Sequence, residues 1–490
     1  MAKKPAKTSR LNIKSATGIP VALKLTGKTR TEKDSLGEVQ VPVEALYGVQ
    51  TFRGYNNFRV SGLTANEQLI RAYVMIKRSC VLAAKQLKDK GMPPKVADAI
   101  IAATDEVLAG RHHEHFIIDV FQAGAGTSFN MNTNEVLANL ALERTGKPRG
   151  DYKTISPNDH SNFGQSTNDT MPTALRLSGL MQGERLLPVL DSLIKAFDRK
   201  AVQWKDIMKS GRTHLQDAVP VTLGQEFRAY ASALKRSRRR LALALEELHE
   251  LPIGGNAVGT GVNTPKGFQK QAIANIAKLT SLPVRPPADP REHIQSQQPV
   301  AAVSGALRDL CLELTRISND LRLLCSGPTT GFDEIRLPAV QPGSSIMPGK
   351  VNPVMAECLN MVCFHVLGAD TAISYAVQAG QLELNVMMPL MAFELLFSFE
   401  ILINYLPQFE ASCLEGIEAQ KARCEGYLGM NPSLATMLNP FIGYLRAAEI
   451  AKQSVKENRS VFDLIREQKI LTEAQIKTVF SPKNLTGHLD

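Results

Sequence analysis

The sequence predicts a mainly helical protein organised as an elongated bundle, and three observations carry that prediction. From Leu223 onward, Leu223, Phe227, Tyr230, Leu234, Leu241, Leu245 and Leu248 step by threes and fours, with one polar gap at Ser237. That spacing is the buried stripe of one long helix. Further long helical patterns cover residues 296–326, 354–378 and 384–408 with few breakers. The one glycine-rich run that superficially suggests a dinucleotide loop, Gly254-Gly255-Asn256-Ala257-Val258-Gly259-Thr260-Gly261, has the wrong spacing and no alternating strand and helix units around it. Nicotinamide binding is therefore not expected.

Composition sets outer limits. A chain of 490 residues, 44% hydrophobic and 21% charged, can bury a large core spread over several domains. No run approaches the roughly 18 uninterrupted apolar residues of a membrane span, and the N-terminus lacks the apolar core of a secretory signal, so the expected address is the cytoplasm, away from membranes. The seven cysteines form no CxxC pair and fall in helical segments, which suits reduced, mostly buried thiols. The net charge of +10 is concentrated: residues 1–30 hold eight Lys or Arg and no acid, leaving the remaining 460 nearly neutral. The leader is expected to be a solvated, disordered tail; a transit peptide is the alternative, disfavoured by its lysines and lack of amphipathic period. Nucleic acid is not an expected partner, because no basic stripe interleaved with aromatics follows.

Along the chain, residues 66–88 and 94–110 carry apolar positions at helical spacing. Arg111-His112-His113-Glu114-His115 suggests a metal site, yet consecutive histidines on a helix or turn point in different directions and no second ligand cluster lies at a matching distance. No metal and no cofactor is expected. Gln122 to Asn132 forms a small-residue turn containing Thr127 and feeding a helix near Thr133, either an anion site or only a helix cap. Ser156-Pro157-Asn158-Asp159-His160 and Gln165-Ser166-Thr167-Asn168-Asp169 follow, with Pro172 opening the next helix. After a helix across 185–208, Gly211-Arg212-Thr213-His214-Leu215-Gln216-Asp217-Ala218-Val219-Pro220 repeats the arrangement. Three such polar clusters exceed what capping requires. The basic run Lys235, Arg236, Arg238, Arg239 and Arg240 is expected at solvent or a subunit surface.

The densest chemistry lies in Gly343-Ser344-Ser345-Ile346-Met347-Pro348-Gly349-Lys350-Val351-Asn352-Pro353. Gly and Pro fix an irregular backbone, the glycines let N–H groups approach a ligand, and Lys350 and Asn352 supply donors for a carboxylate. An ordinary helix connection has similar composition. Taken together, the clusters at 127, 166–168, 213–214 and 344–352 hold hydroxyls, amides, one imidazole and one lysine, which suits binding a small dicarboxylate and moving a proton. A serine hydrolase competes, but no GxSxG elbow is present and Ser344 has no motif-level histidine beside it.

The run from Gly343 to Pro353 resembles the GSSxMPxKxNP motif of the fumarase/aspartase superfamily, and Ala45-Leu46-Tyr47-Gly48-Val49-Gln50-Thr51 resembles that superfamily's N-terminal arm. All four clusters occur in superfamily order over residues 31–490. The resemblance implies three mainly helical domains around a central long five-helix bundle, in a homotetramer whose active sites lie where three subunits meet. The implied division is a leader at 1–30, an N-terminal helical domain at 31–168, a bundle at 169–425 and a small C-terminal helical domain at 426–490.

Carried over position by position, Ser344 resembles the general base, removing a proton beside the distal carboxylate to give an aci-carboxylate carbanion. Lys350 and Asn352 match carboxylate binders. Thr127, Ser166, Thr167, Asn168, Thr213 and His214 match the rest of the pocket, and Glu357 matches the glutamate that pairs with His214 across subunits. Ser166-Thr167-Asn168-Asp169, Glu226-Phe227-Arg228-Ala229-Tyr230 and Leu384-Asn385-Val386-Met387 look like the ammonia-lyase branch, whereas fumarases carry a second serine in place of Thr167. Phe163, Thr329 and Met388 depart from that pattern. The implied reaction is elimination of ammonia from L-aspartate to give fumarate, with malate dehydration, or elimination from another succinyl amine, as the alternative. A non-enzymatic bundle protein is a further alternative, against which the intact Ser344, Lys350, Asn352 and His214 weigh.

Overall fold

A computed structural model describes residues 13–15, 20–21, 23–87 and 91–487. Of the basic leader, residues 1–12, 16–19 and 22 lie outside the described residues, while Ile13–Ser15 and Pro20–Val21 form short paired strands. The chain is mainly helical, as expected. Seven helices matter most for function: α1 (Glu67–Gln86), α2 (Thr127–Arg144), α3 (Thr167–Gln203), α4 (Leu223–Glu246), α5 (Gln298–Leu324), α6 (Val354–Gln378) and α7 (Met388–Phe409).

Local signals explain where these helices begin. The Asn66 side chain accepts the N–H of Gln68 and caps α1. At α3, Ser166 accepts the N–H of Asn168, and Asp169 accepts the N–H of Ser166 in return. This box starts α3 five residues before Pro172, where the sequence alone placed the opening. Thr222 and Gln225 exchange the same pair of bonds, each 3.0 Å, ahead of α4. Likewise α2 begins at Thr127 and not near Thr133, because Gly126 turns the chain at φ +91° immediately before it. The shift makes Thr127 the first helical residue.

The predicted stripe is buried at every position, its last member Leu248 in the 3-10 turn that follows α4, and Ser237 is buried with it. A side chain as small as serine lets two elements pack closely, so the polar gap does not interrupt the buried face. The α7 segment, continued by a π turn to Leu414, is long and apolar enough to cross a membrane. It carries Glu394, Glu400 and Glu410 and buries Leu395, Leu396, Phe399, Leu402 and Leu406, as a core helix does.

The chain divides into two compact units. The first comprises Met1–Leu186, Arg240–Arg308 and His365–Leu402. Within it α1 packs on helices Pro94–Leu108 and Phe268–Thr280, and α2 is buried nearly all round. A buried carboxylate organises its N-terminal arm: Glu135 of α2 accepts the N–H groups of Gly48, Gln50 and Thr51 and the Thr51 hydroxyl. Burial nonetheless pushes Glu135 up to about 7.

The second unit comprises Leu187–Arg239, Asp309–Phe364 and Ile403–Asp490. Its hairpin pairs β1 (Met208–Thr213) with β2 (Gln216–Thr222), with a bulge at Ser210/Gly211. Toward its C-terminal end, short helices surround a core of Leu434, Leu438, Ile450, Val461, Leu464 and Ile465. The stretch from Gly211 to Pro220 therefore lies on a hairpin and not at a helix start. Alternating Val219 and Val221 with Thr213 and Thr222 favour strand, and two residues at positive φ close the turn.

Candidate active site

In the first unit, Thr127 heads α2 and lines a cleft of about 600 Å³ with Gln50, Arg53 and Asn158. Its hydroxyl donates to the Gly124 carbonyl at 2.6 Å. Asn168, in the first turn of α3, donates through Nδ2 to the Ala257 carbonyl at 2.8 Å. Both side chains thus commit a donor to the protein backbone and leave lone pairs for a ligand. Thr167 is buried beside them in sequence, and its Oγ accepts an N–H from Asn130 at 3.2 Å.

Asp169, absent from the sequence-based site, holds this corner together. Its carboxylate accepts the N–H groups of Ser166, Gly254 and Asn256 at 2.8–2.9 Å. The glycine-rich run at 254–261 therefore wraps an internal anion and not an exogenous phosphate. Burial raises Asp169 to about 6 against the pull of those N–H groups. The signal was in view: an aspartate closing the polar cluster at 165–169, and one glycine-rich loop at 254–261.

In the second unit, His214 and Leu215 form the hairpin turn with φ of +56° and +59°. A turn with both central residues left-handed matches strand twist, but without Gly it carries strain. Thr213 and His214 are exposed at this tip. Behind them, the Arg212 guanidinium donates to Glu334 at 2.9 Å and lies 4.1 Å from the centre of the Phe332 ring. Lys209 pairs with both Glu226 and Glu334 at 2.8 Å. Asn431 donates to the Ser210 hydroxyl and the Ala218 carbonyl, and Ser433 to the Asp217 carbonyl. Nothing in the sequence pattern pointed to Glu334, Asn431 and Ser433, whose hydrogen-bonded partners on the hairpin lie 122 to 221 residues away.

The Gly343–Pro353 segment is a loop pinned at its neck. Gly343 donates its N–H to the Lys350 carbonyl at 2.9 Å, and Asn352 donates Nδ2 to the Gly343 carbonyl at 2.6 Å. The Ser344 Oγ accepts the N–H of Ile346 at 3.3 Å and of Met347 at 3.1 Å. Two donors aimed at a hydroxyl oxygen favour negative charge on it. Lys350 is exposed, and Glu357 lies in the first turn of α6, which begins as this loop ends. Among the described residues of this one chain, His214 and Glu357 form no ion pair.

His112, Glu114 and His115 place ligand atoms within 4.8 Å of one another. Their hydrogen bonding still opposes a metal. The Nδ1 of His115 accepts the N–H of Leu46, so the neutral ring carries its proton on Nε2, the nitrogen that would have to bind the ion. His112 in turn spends Nε2 on Glu106 at 3.0 Å.

These clusters sit on a chain that matches the lyase family model over residues 37–368 and the fumarase C C-terminus model over 434–487. The chain belongs to the fumarase/aspartase lyase family. It is 45% identical to the aspartate ammonia-lyase of Pseudomonas aeruginosa over 460 residues, covering 93% of this chain and 97% of that protein. Identity to the aspartate ammonia-lyase of Bacillus subtilis is 43%, over 93% of this chain and 96% of the relative. Among solved structures, the cobalt-bound fumarate lyase:delta crystallin of Brucella melitensis superposes with a TM-score of 0.89 at 43% identity, covering 93% of this chain and 98% of the other. The class II fumarase of Schistosoma mansoni also gives 0.89, at 36% identity, with the same coverage.

Proposed function

We propose that this chain is an aspartate ammonia-lyase, converting L-aspartate reversibly to fumarate and ammonia. The observation that carries the choice is identity of 43–45% to aspartate ammonia-lyases along 93% of the chain. Site chemistry supports it. An ammonium needs acceptors, and Thr127 and Asn168 both turn lone pairs outward by giving a donor to a backbone carbonyl. Thr213 and His214 add further acceptors.

In this reading Ser344 removes the proton beside the distal carboxylate. Its alkoxide is favoured by the N–H groups of Ile346 and Met347 and by Lys350, each pKa unit so supplied being worth about 1.4 kcal/mol. The electron pair passes into that carboxylate as an aci-form dianion, and the C–N bond breaks on the opposite face. Donors aimed at the dianion lower the barrier most. Lys350, Asn352, Ser166 and Thr167 bind the carboxylates. Glu357 of a neighbouring copy orients His214, in a homotetramer whose sites draw on three subunits; light scattering tests that assembly.

The activity test is direct. Purified protein is given L-aspartate or L-malate, and fumarate is followed by its ultraviolet absorbance. Turnover of aspartate supports the assignment; turnover of malate alone overturns it.

A further inference from the structure

Lys77 sits on the buried face of α1, between Tyr73 and Cys80, and is completely enclosed. A charged amine inside an apolar stripe is costly unless something needs it. Its Nζ donates to Asn130 Oδ1 at 2.7 Å and to Asn162 Oδ1 at 2.9 Å. Each asparagine is fixed in orientation by what lies beyond. Asn162 donates Nδ2 to the Gln165 carbonyl, which can only accept, so its Oδ1 must face Lys77. That oxygen also accepts from the amides of Asn130 and Asn134, each at 3.2 Å.

Asn130 is therefore constrained from two sides. Its Oδ1 takes the lysine, and its two amide hydrogens go to Asn162 and to the Thr167 Oγ at 3.2 Å. Thr167 has then been made an acceptor from the protein. Among the described residues no hydrogen bond takes the Thr167 hydroxyl proton, which leaves it available to an acceptor on a ligand. Thr127 has the opposite polarity, since its proton is spent on Gly124.

We propose that Lys77 is a positioning residue for substrate: acting through Asn130, it sets Thr167 as a hydrogen-bond donor to a substrate carboxylate. The proposal rests on the reading of Thr167 as a pocket residue. Asp169 lies within electrostatic range of the amine and favours its charged form, while burial opposes it and brings the amine down to about 7. In either state Lys77 donates, and the Gln165 carbonyl keeps the array in register.

The test uses succinate, a dicarboxylate with no leaving group, titrated calorimetrically into the full-length protein, with aspartate turnover of the unaltered protein measured separately. Asn130→Asp is the informative variant. Its carboxylate keeps an acceptor toward Lys77 but has no N–H for Thr167, whose hydroxyl then turns inward. Succinate Kd is expected to rise about tenfold or more, the value of one hydrogen bond to a charged group, in a protein that still folds but melts lower, because the new carboxylate oxygen faces the Asn162 Oδ1 with no proton between them. Lys77→Met is expected to weaken succinate similarly and also to lower the midpoint. Folded Asn130→Asp with succinate Kd within twofold of the parent overturns the proposal. Failure of the parent to turn over aspartate overturns the functional assignment instead, while the succinate comparison still decides the role of Lys77.

Discussion

The Nδ2 of Asn352 donates to the carbonyl oxygen of Gly343 at 2.6 Å, closing the neck of the loop that carries Ser344. A side chain matched to carboxylate binding by resemblance thus also has a structural task, and its second N–H and its Oδ1 are what remain for a ligand. The closure depends on Gly343 lacking a Cβ, because an added methyl carbon would stand 2.3 Å from the Lys350 carbonyl oxygen. Gly343→Ala is expected to open the neck and lower kcat/KM about 5- to 150-fold, from an overpacking cost of roughly 1–3 kcal/mol. The thermal midpoint should hardly move, since the loop is exposed.

Ser344→Ala separates chemistry from stability even more sharply. Among the described residues, the Oγ bonds only to N–H groups of its own loop. Loss of a general base is expected to reduce kcat about 10²–10⁴-fold, with an unchanged melting curve. Retention of parental kcat would remove Ser344 from the proton-transfer step.

Much of this was legible along the chain, for identifiable reasons. The α4 stripe was readable because helical period and burial coincide at each of its residues, and the 343–353 loop because its chemistry is contiguous. The starts of α2 and α3 were missed by a few residues each: the Ser166–Asp169 box and the left-handed Gly126 outrank the more obvious Pro172 and Thr133. Pairings across long sequence distance were not legible at all. Lys77 with Asn130, Asp169 with Gly254 and Arg212 with Glu334 join segments 53, 85 and 122 residues apart.

The last of these pairs makes a stability claim. Glu334 is 0% exposed and is held between Lys209 and Arg212. Removing that carboxylate takes away the acid paired with Arg212 and leaves Lys209 with Glu226 alone, so Glu334→Ala is expected to cost about 3–5 kcal/mol and to loosen the hairpin that ends in His214. A lowered thermal midpoint together with reduced kcat checks both effects. A fall in midpoint with full activity would show that the hairpin tip does not depend on its base.

Acid stability should carry the signature of His115. Burial pulls this imidazole down to about 3, from an ordinary value near 6.5. The unfolded chain therefore takes up a proton that the folded chain refuses. Its contribution is fully present above pH 6.5 and is lost as pH falls from 6.5 toward 3, at about 1.4 kcal/mol per pH unit. Thermal midpoints recorded between pH 4 and 7 should fall less steeply on the acid side in His115→Gln than in the parent, and equal slopes would show that other groups govern the acid limb.

To a protease, the loop behind Ser344 presents a different aspect. Ile346 is 83% exposed at its tip, whereas the Gly343 and Lys350 backbones and the Asn352 side chain tie its neck together. A cut beside Ile346 would sever the chain without releasing either end. The nicked protein would elute from a sizing column as before and resolve into two fragments only in detergent, having lost the geometry of its serine and little else.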